Sequence, residues 1–221
     1  MSLAENSEEV MISAAMEAQV KGADLIEIRL DCLERPTEEK ISGLFRRLES
    51  IKIPKVATIM PDSIFGHYQG NDKERARLLA EASKFAEYVD IDKEMDPGLF
   101  EECLGRIKSS GAQPVISWHS QRLLKVKDMR DFILAMNGNF VFKVVMPATR
   151  FEDNLVALGA SDSITGRRIV FCYGPLGKIS RVLAPFFGSE WTYASLKEGK
   201  EAAPGQVDLQ TMRRTQEVFL G

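Results

Sequence analysis

The sequence predicts an α/β protein whose parallel sheet closes into a single (β/α)8 TIM barrel, with a very short first strand. Three observations lead there. Short β-rich apolar runs alternate with amphipathic stretches along the whole chain. The runs are near-continuously apolar, as strands covered by helices are. Eight strand–helix units in 221 residues suit a barrel of ~200–250 residues. An open doubly wound sheet is the alternative that the same alternation allows. No Pro/Gly/Ser-rich linker, low-complexity tract or shift of composition divides the chain, so residues 1–221 are expected to form one barrel domain.

In chain order, the only room for a first strand is the stub Met1 to Leu3, ahead of a helix at about 6–21. Asp24 to Leu30 alternates in character and reads as the second strand, with a helix at 37–49 after it. Lys55 to Met60 and Tyr88 to Asp92 follow as strands, with amphipathic spacing over 72–86 and 97–109. Pro114 to Trp118, Phe140 to Met146 and Ile169 to Tyr173 are the next apolar runs, each trailed by a helical stretch, at 122–136, 150–161 and 177–186. Trp191 to Ala194 is the final strand candidate and about 206–219 the final helix. Between them lies the polar segment Lys197 to Gly205, placed where a barrel carries an active-site loop. With Gln206 it is expected to be a lid, loosely held without ligand and closed over a bound carboxylate.

The charge balance removes whole classes of function. With 29 basic and 32 acidic residues, the net charge of −3 supplies no global basic field for nucleic acid or a membrane surface. An anionic ligand must be caught locally. Cys32, Cys103 and Cys172 are odd in number, far apart and without a Cys-x-x-Cys pair, against both a disulfide framework and a thiolate metal site. The acidic N-terminal stretch, and the lack of any run near the ~20 apolar residues of a membrane span, lead to the expectation of a soluble, cytoplasmic protein.

In a barrel, polar residues on inward strand positions near the C-terminal ends are the ones to weigh. In Asp24-Leu-Ile-Glu-Ile-Arg-Leu-Asp31, Ile26, Ile28 and Leu30 share one face while Glu27, Arg29 and Asp31 share the other, which should turn inward. Lys143 sits among apolar residues in Phe140-Val-Phe-Lys-Val-Val-Met146. Desolvation and a nearby cation would there favour the neutral amine that attacks a carbonyl; the ordinary alternative is a lysine snorkelling from a strand end. His119 closes the preceding strand, Val115-Ile-Ser-Trp-His119, and suits proton shuttling, or a structural hydrogen bond. His67 lies in a loop-like stretch without a partner at metal-ligand spacing, so zinc is not expected. Gly174-Pro-Leu-Gly-Lys-Ile-Ser-Arg181 is not a phosphate loop, since Cys172 stands at the first glycine position. Lys178 and Arg181 would then be a solvated helix face, though Arg181 is equally suited to hold a carboxylate bidentately. No dinucleotide fingerprint or nucleophile elbow appears.

Taken together, Glu27-Ile-Arg-Leu-Asp31, Ser117-Trp-His119, Phe142-Lys-Val-Val-Met-Pro147, Gly177-Lys-Ile-Ser-Arg181, Phe187-Gly-Ser189 and Ala203-Pro-Gly-Gln206 resemble, in the same order, the motifs of type I 3-dehydroquinate dehydratase. The resemblance implies a (β/α)8 barrel lyase of the shikimate pathway, which leads to the aromatic amino acids, with no metal and no organic cofactor. It implies a Schiff base between Lys143 and the C3 carbonyl of 3-dehydroquinate, and His119 as the general acid and base. Glu27 and Arg29 would position substrate hydroxyls, and Arg181 and Gln206 would clamp the carboxylate. A homodimer is compatible with the family. The sequence departs from the family pattern at Met60, where an arginine is usual, in the loop after it, where Glu-Gly-Gly is usual, and at Ala202, where a serine is usual. Two other readings stand beside this one: a diverged barrel that binds a carboxylate without efficient turnover, and another class I Schiff-base lyase or aldolase.

Overall fold

Ser2 and Leu3 do form a strand, β1 (Ser2–Leu3), paired in parallel with β2 (Ile26–Arg29) so that Ser2 stands beside Glu27. The structure, a computed structural model, describes residues 1–136 and 138–220; Asn137 and Gly221 of the expected domain lie outside the described residues. The chain divides into two compact units, Met1–Val115 and a second that starts at Ile116.

The first unit continues with α1 (Glu8–Val20), α2 (Glu38–Arg47), β3 (Lys55–Thr58), α3 (Asp72–Ala82), β4 (Tyr88–Asp92), α4 (Pro97–Ser110) and the start of β5 (Gln113–His119). Its helices begin where the sequence supplies a side-chain acceptor for an orphan N–H. Ser7 accepts from Val10 N at 3.4 Å, Thr37 from Lys40 N at 3.3 Å and Asn71 from Glu74 N at 2.9 Å. Asp96 accepts from the N–H groups of Gly98 and Leu99 at 3.0 and 3.1 Å, with Pro97 at the first helical position. The capping residue stays extended, so α1 and α2 start slightly later than the amphipathic pattern alone predicts.

Strands β1 to β4 pair in chain order, all parallel. The register sets Glu27 beside Val56, Arg29 beside Thr58, and Thr58 beside Asp90. One face therefore carries Ser2, Glu27, Arg29, Thr58 and Asp90, all buried. The opposite face carries Ile26 and Ile28, also buried, as the alternation predicts.

The second unit holds the end of β5, then α5 (Val126–Leu134), β6 (Val141–Pro147), α6 (Asp153–Ser163), β7 (Arg168–Tyr173), α7 (Lys178–Leu183) and α8 (Leu209–Leu220). β6 and β7 run parallel, with Lys143 beside Ile169 and Val145 beside Phe171. Aromatic packing fixes which face is which. Phe132 of α5 meets Trp118 of β5 edge-on at 5.5 Å and Phe142 of β6 at 5.7 Å. Cys172 of β7 lies 3.7 Å from the Asp153 carbonyl oxygen at the start of α6. Those residues face helices, so His119, Lys143 and Phe171, each one position away on its strand, face the other side.

Two expectations need correction here. The run Trp191 to Ala194 does not form a strand; isolated bridges flank it instead, Arg168 with Ser189 and Ser195 with Asp208. The backbone is drawn off at both ends: Glu190 N donates to Arg168 O at 2.8 Å, and Ser195 N to Val207 O at 3.0 Å. The helix expected over 177–186 is split into α7 and a short 3-10 turn, Ala184–Phe187, where Pro185 cannot continue an α-helical ladder. Among the described residues, no helix is long and apolar enough to cross a membrane.

Candidate active site

In the first unit the charged face of β2 is held by a closed set of hydrogen bonds. Glu27 accepts from Ser2 Oγ at 2.7 Å and from Thr58 Oγ1 at 3.0 Å, which fixes its carboxylate between the neighbouring strands. Arg29 binds Asp31 through Nε at 2.8 Å and Nη2 at 2.6 Å, a fork-to-carboxylate pair with both side chains buried. Burial by itself would lower the arginine pKa, but the bonds and charge of Asp31, with Glu27 beyond, outweigh it and hold Arg29 above the ordinary value. The same pair ties down the loop after β3. Arg29 Nη2 reaches Phe65 O at 3.4 Å, and Asp31 Oδ2 accepts from His67 N at 3.1 Å. Phe65 is left-handed there, at φ 68°, a conformation better suited to glycine. Met60, at the usual arginine position, is buried, and His67 has an exposed side chain.

In the second unit Lys143 is 4% exposed and third in a strand of seven residues, so it does not snorkel. Its Nζ stands 4.7 Å from the centre of the Tyr193 ring. His119, half-buried, ends β5 on the same side of its strand.

Arg181 is 2% exposed, which overturns the solvated-face alternative for it, whereas Lys178 is exposed as that alternative has it. Its place is set by Ser180. That hydroxyl accepts from Cys172 N at 2.9 Å and donates to Gly177 O at 3.1 Å, while Ser180 N donates to Asn154 Oδ1 at 3.0 Å. The short α7 is thereby pinned against β7 and α6, and the Arg181 guanidinium lies over the Phe171 ring, 4.4 Å from its centre. Gly177 is needed for that approach, because a Cβ there would meet Cys172 O at 2.6 Å. Gly177→Ala is expected to cost about 1–3 kcal/mol of stability and to displace Arg181. An unchanged melting temperature with unchanged carboxylate affinity would contradict this.

Gln206 is buried but does not open the last helix, as the sequence suggested; α8 starts at Leu209. Its Oε1 accepts from Ala202 N at 2.7 Å, folding the amide back over Ala203-Pro-Gly. The turn is anchored: Gly174 N donates to Pro204 O at 3.0 Å, and Gly205, at φ 80°, is pressed against Gly174. Lys197 to Glu201 are exposed.

The motif Phe187-Gly-Ser189 proves structural within this unit. Ser189 Oγ accepts from Val170 N at 3.0 Å and shares a hydrogen bond with Ser161 Oγ at 3.1 Å. Sequence reasoning missed Ser2 and Thr58 as holders of Glu27, and Tyr193 and Phe171 beside the two cations. For Tyr193 the signal was an aromatic inside an apolar run just ahead of the expected lid.

Burial, then the charge of Asp31, pushes the Cys32 thiol up to about 12, and burial pushes Cys103 to about 12 and Cys172 to about 11, so none is a thiolate at neutral pH. Among the described residues no group of three or more His, Cys, Asp or Glu side chains is placed to hold a metal ion.

Comparison with known proteins places this geometry. Over residues 1–219 the sequence matches the family model described as type I 3-dehydroquinase. It is 32% identical over 216 residues to the 3-dehydroquinate dehydratase of Methanocaldococcus jannaschii, covering 95% of this chain and 93% of that one. With the 3-dehydroquinate dehydratase of Methanothermobacter thermautotrophicus it shares 32% identity over 195 residues, 87% of this chain and 84% of the relative. The crystal structure of the type I enzyme from Clostridium difficile, 19% identical, superposes with a TM-score of 0.88 over 99% of this chain and 90% of that one, which establishes the barrel fold. With strands, helices and motifs following one pattern from end to end, the chain belongs to the type I 3-dehydroquinase family.

Proposed function

We propose that Lys143 carries out the reaction of this family, the dehydration of 3-dehydroquinate to 3-dehydroshikimate in the shikimate pathway, through a Schiff base, with residues 1–221 acting as one catalytic barrel. The observation that carries the assignment is a lysine amine 4% exposed, mid-strand, on the face turned away from the helices. In this reading the neutral amine adds to the C3 carbonyl and, with one proton taken up from solvent and returned at the final hydrolysis, water leaves to give a protonated imine. The imine withdraws electrons, and His119 takes the C2 proton to form an enamine. The enamine pair then expels the C1 hydroxyl, which leaves as water with a proton from His119. A second water hydrolyses the imine, freeing product and the lysine. The net change is loss of one water.

Glu27 and Arg29 hold substrate hydroxyls in this scheme, and Arg181 with the Gln206 amide N–H group holds the carboxylate. The substrate is a small anion caught by buried arginines, and the chain works in the cytoplasm without metal, organic cofactor, nucleic acid or membrane. Purified protein given 3-dehydroquinate should produce the ultraviolet absorbance of the conjugated enone product. Tight binding without any absorbance gain would favour the carboxylate binder, and turnover of a different carbonyl substrate would favour another Schiff-base lyase.

The lid takes a more exact form. Its base, Ala202 to Gln206, is already anchored, so closure belongs to the exposed tip, Lys197 to Glu201. Hydrogen exchange in the tip is expected to slow when product is bound, and Gln206→Ala is expected to raise KM about tenfold, the worth of one charge-assisted hydrogen bond of about 1.5 kcal/mol. Equal tip protection with and without product would show that the loop does not close.

A further inference from the structure

We propose that Tyr193 is a positioning residue: its ring face holds the Lys143 nitrogen, first as ammonium and then as iminium, and with Phe171 it forms an aromatic spacer linking that nitrogen to the Arg181 guanidinium. The proposal rests on Lys143 being the nucleophile.

The second unit contains the whole arrangement. Lys143 Nζ lies 4.7 Å from the centre of the Tyr193 ring. That ring abuts Phe171, centre to centre 5.9 Å, tilted by 55°. Phe171 in turn carries the Arg181 guanidinium on its face at 4.4 Å. All four side chains are buried, with exposures of 4% for Lys143 and 2% for each of the other three. A cation gains most from an aromatic face where water is excluded.

The chain builds this spacer from separate elements. β6 and β7 are in register so that Val145 stands beside Phe171, which puts Lys143 and Phe171 on one face. Ser180 pins α7 and so delivers Arg181. Tyr193 comes from the run between the bridges at Ser189 and Ser195, and the Thr192 hydroxyl donates to Arg181 O at 2.5 Å, tying the tyrosine's own segment to the arginine. One end of the spacer fixes the atom that attacks a carbonyl and the other the cation suited to a carboxylate, so the rings set the span that a bound keto acid must match.

The ring supports positive charge on this nitrogen, and because the protonated imine is cationic as the ammonium is, the same face serves both states and restrains the nitrogen in position between them.

The test compares Tyr193→Phe, Tyr193→Leu and a series with fluorinated phenylalanines at that position, all in the full chain. The readouts are kcat and KM for 3-dehydroquinate and the rate of borohydride trapping on Lys143. Tyr193→Phe keeps the face and should stay within about 3-fold of the unsubstituted protein. Tyr193→Leu should lower kcat and the trapping rate by about 10- to 100-fold, with KM changed less. Fluorination preserves ring shape while draining its face, so kcat should fall stepwise along the series. This arm keeps the proposal open to refutation even where Tyr193→Leu does not fold. A flat fluorination series, or a loss in Tyr193→Phe equal to that in Tyr193→Leu, would overturn the proposal while leaving the lysine assignment intact. Failure to trap any adduct on Lys143 in the unsubstituted protein would remove that assignment and this proposal with it.

Discussion

Borohydride added during turnover of 3-dehydroquinate is expected to inactivate the protein and leave one reduced adduct, on Lys143, while Lys143→Ala is expected to lose turnover by about 10⁴- to 10⁶-fold, the scale seen when a covalent nucleophile is removed. Lys143 differs from the chain's exposed lysines in its setting. It is buried within β6, and its nitrogen lies 4.7 Å from the centre of the Tyr193 ring, whereas Lys178 and Lys197 are exposed. The fold should survive the substitution, because the change leaves Phe142 packed on Phe132. Mapping the modified peptide decides the matter. A label on Lys178 or Lys197 with Lys143 unmodified would contradict the assignment.

His119→Ala should keep the fold and lower kcat by about 10²- to 10⁴-fold, the usual worth of a general acid–base group, and here the upper part of that range is expected because the residue serves more than one proton transfer. Retention of the fold follows from Trp118, which carries the packing of this strand end on Phe132 at 5.5 Å. His119 itself is half-buried and faces the other way. The Schiff base should still form in this variant and be trapped on Lys143, since amine attack does not require the histidine to remove the C2 proton. A near-normal rate would contradict the role. So would loss of activity on treatment of the unsubstituted protein with a chelator.

The parts of this molecule that the sequence disclosed share one physical trait: they are decided within a few residues. Alternation in Asp24 to Asp31 separates Ile26 and Ile28 from Glu27 and Arg29, and the two faces are as the alternation has them. Lys143 stands out because an ionisable residue inside an apolar strand is costly. What stayed hidden depends on distant partners. Trp191 to Ala194 has the composition of a strand, but its flanking backbone is bonded to Arg168 and Val207, far off in sequence. Gln206 looked like the first residue of a helix until the Ala202 N–H claimed its side chain. Arg181 read equally well as solvated or as a ligand-binding group, and only the Ser180 anchoring, through Cys172 and Asn154, buries it. Of the candidates, Glu27 and Arg29 belong to the first unit, and His119, Lys143, Arg181 and Gln206 to the second.

The burial of Arg181 bears on the entropy of recognition. A long, flexible cation on an exposed helix gives up much of its rotamer freedom each time a ligand arrives, about 0.5–1.5 kcal/mol charged against every binding event. Arg181 has given up that freedom already, during folding, through the Ser180 anchor and the Phe171 face. The cost is thus met once, out of the stability of β7 and α7, and in the proposed role the guanidinium would receive a carboxylate without ordering itself anew. Substitutions that loosen α7 should therefore weaken binding while leaving every ligand-touching atom in place, and the loss should appear as a less favourable entropy rather than a smaller heat of binding.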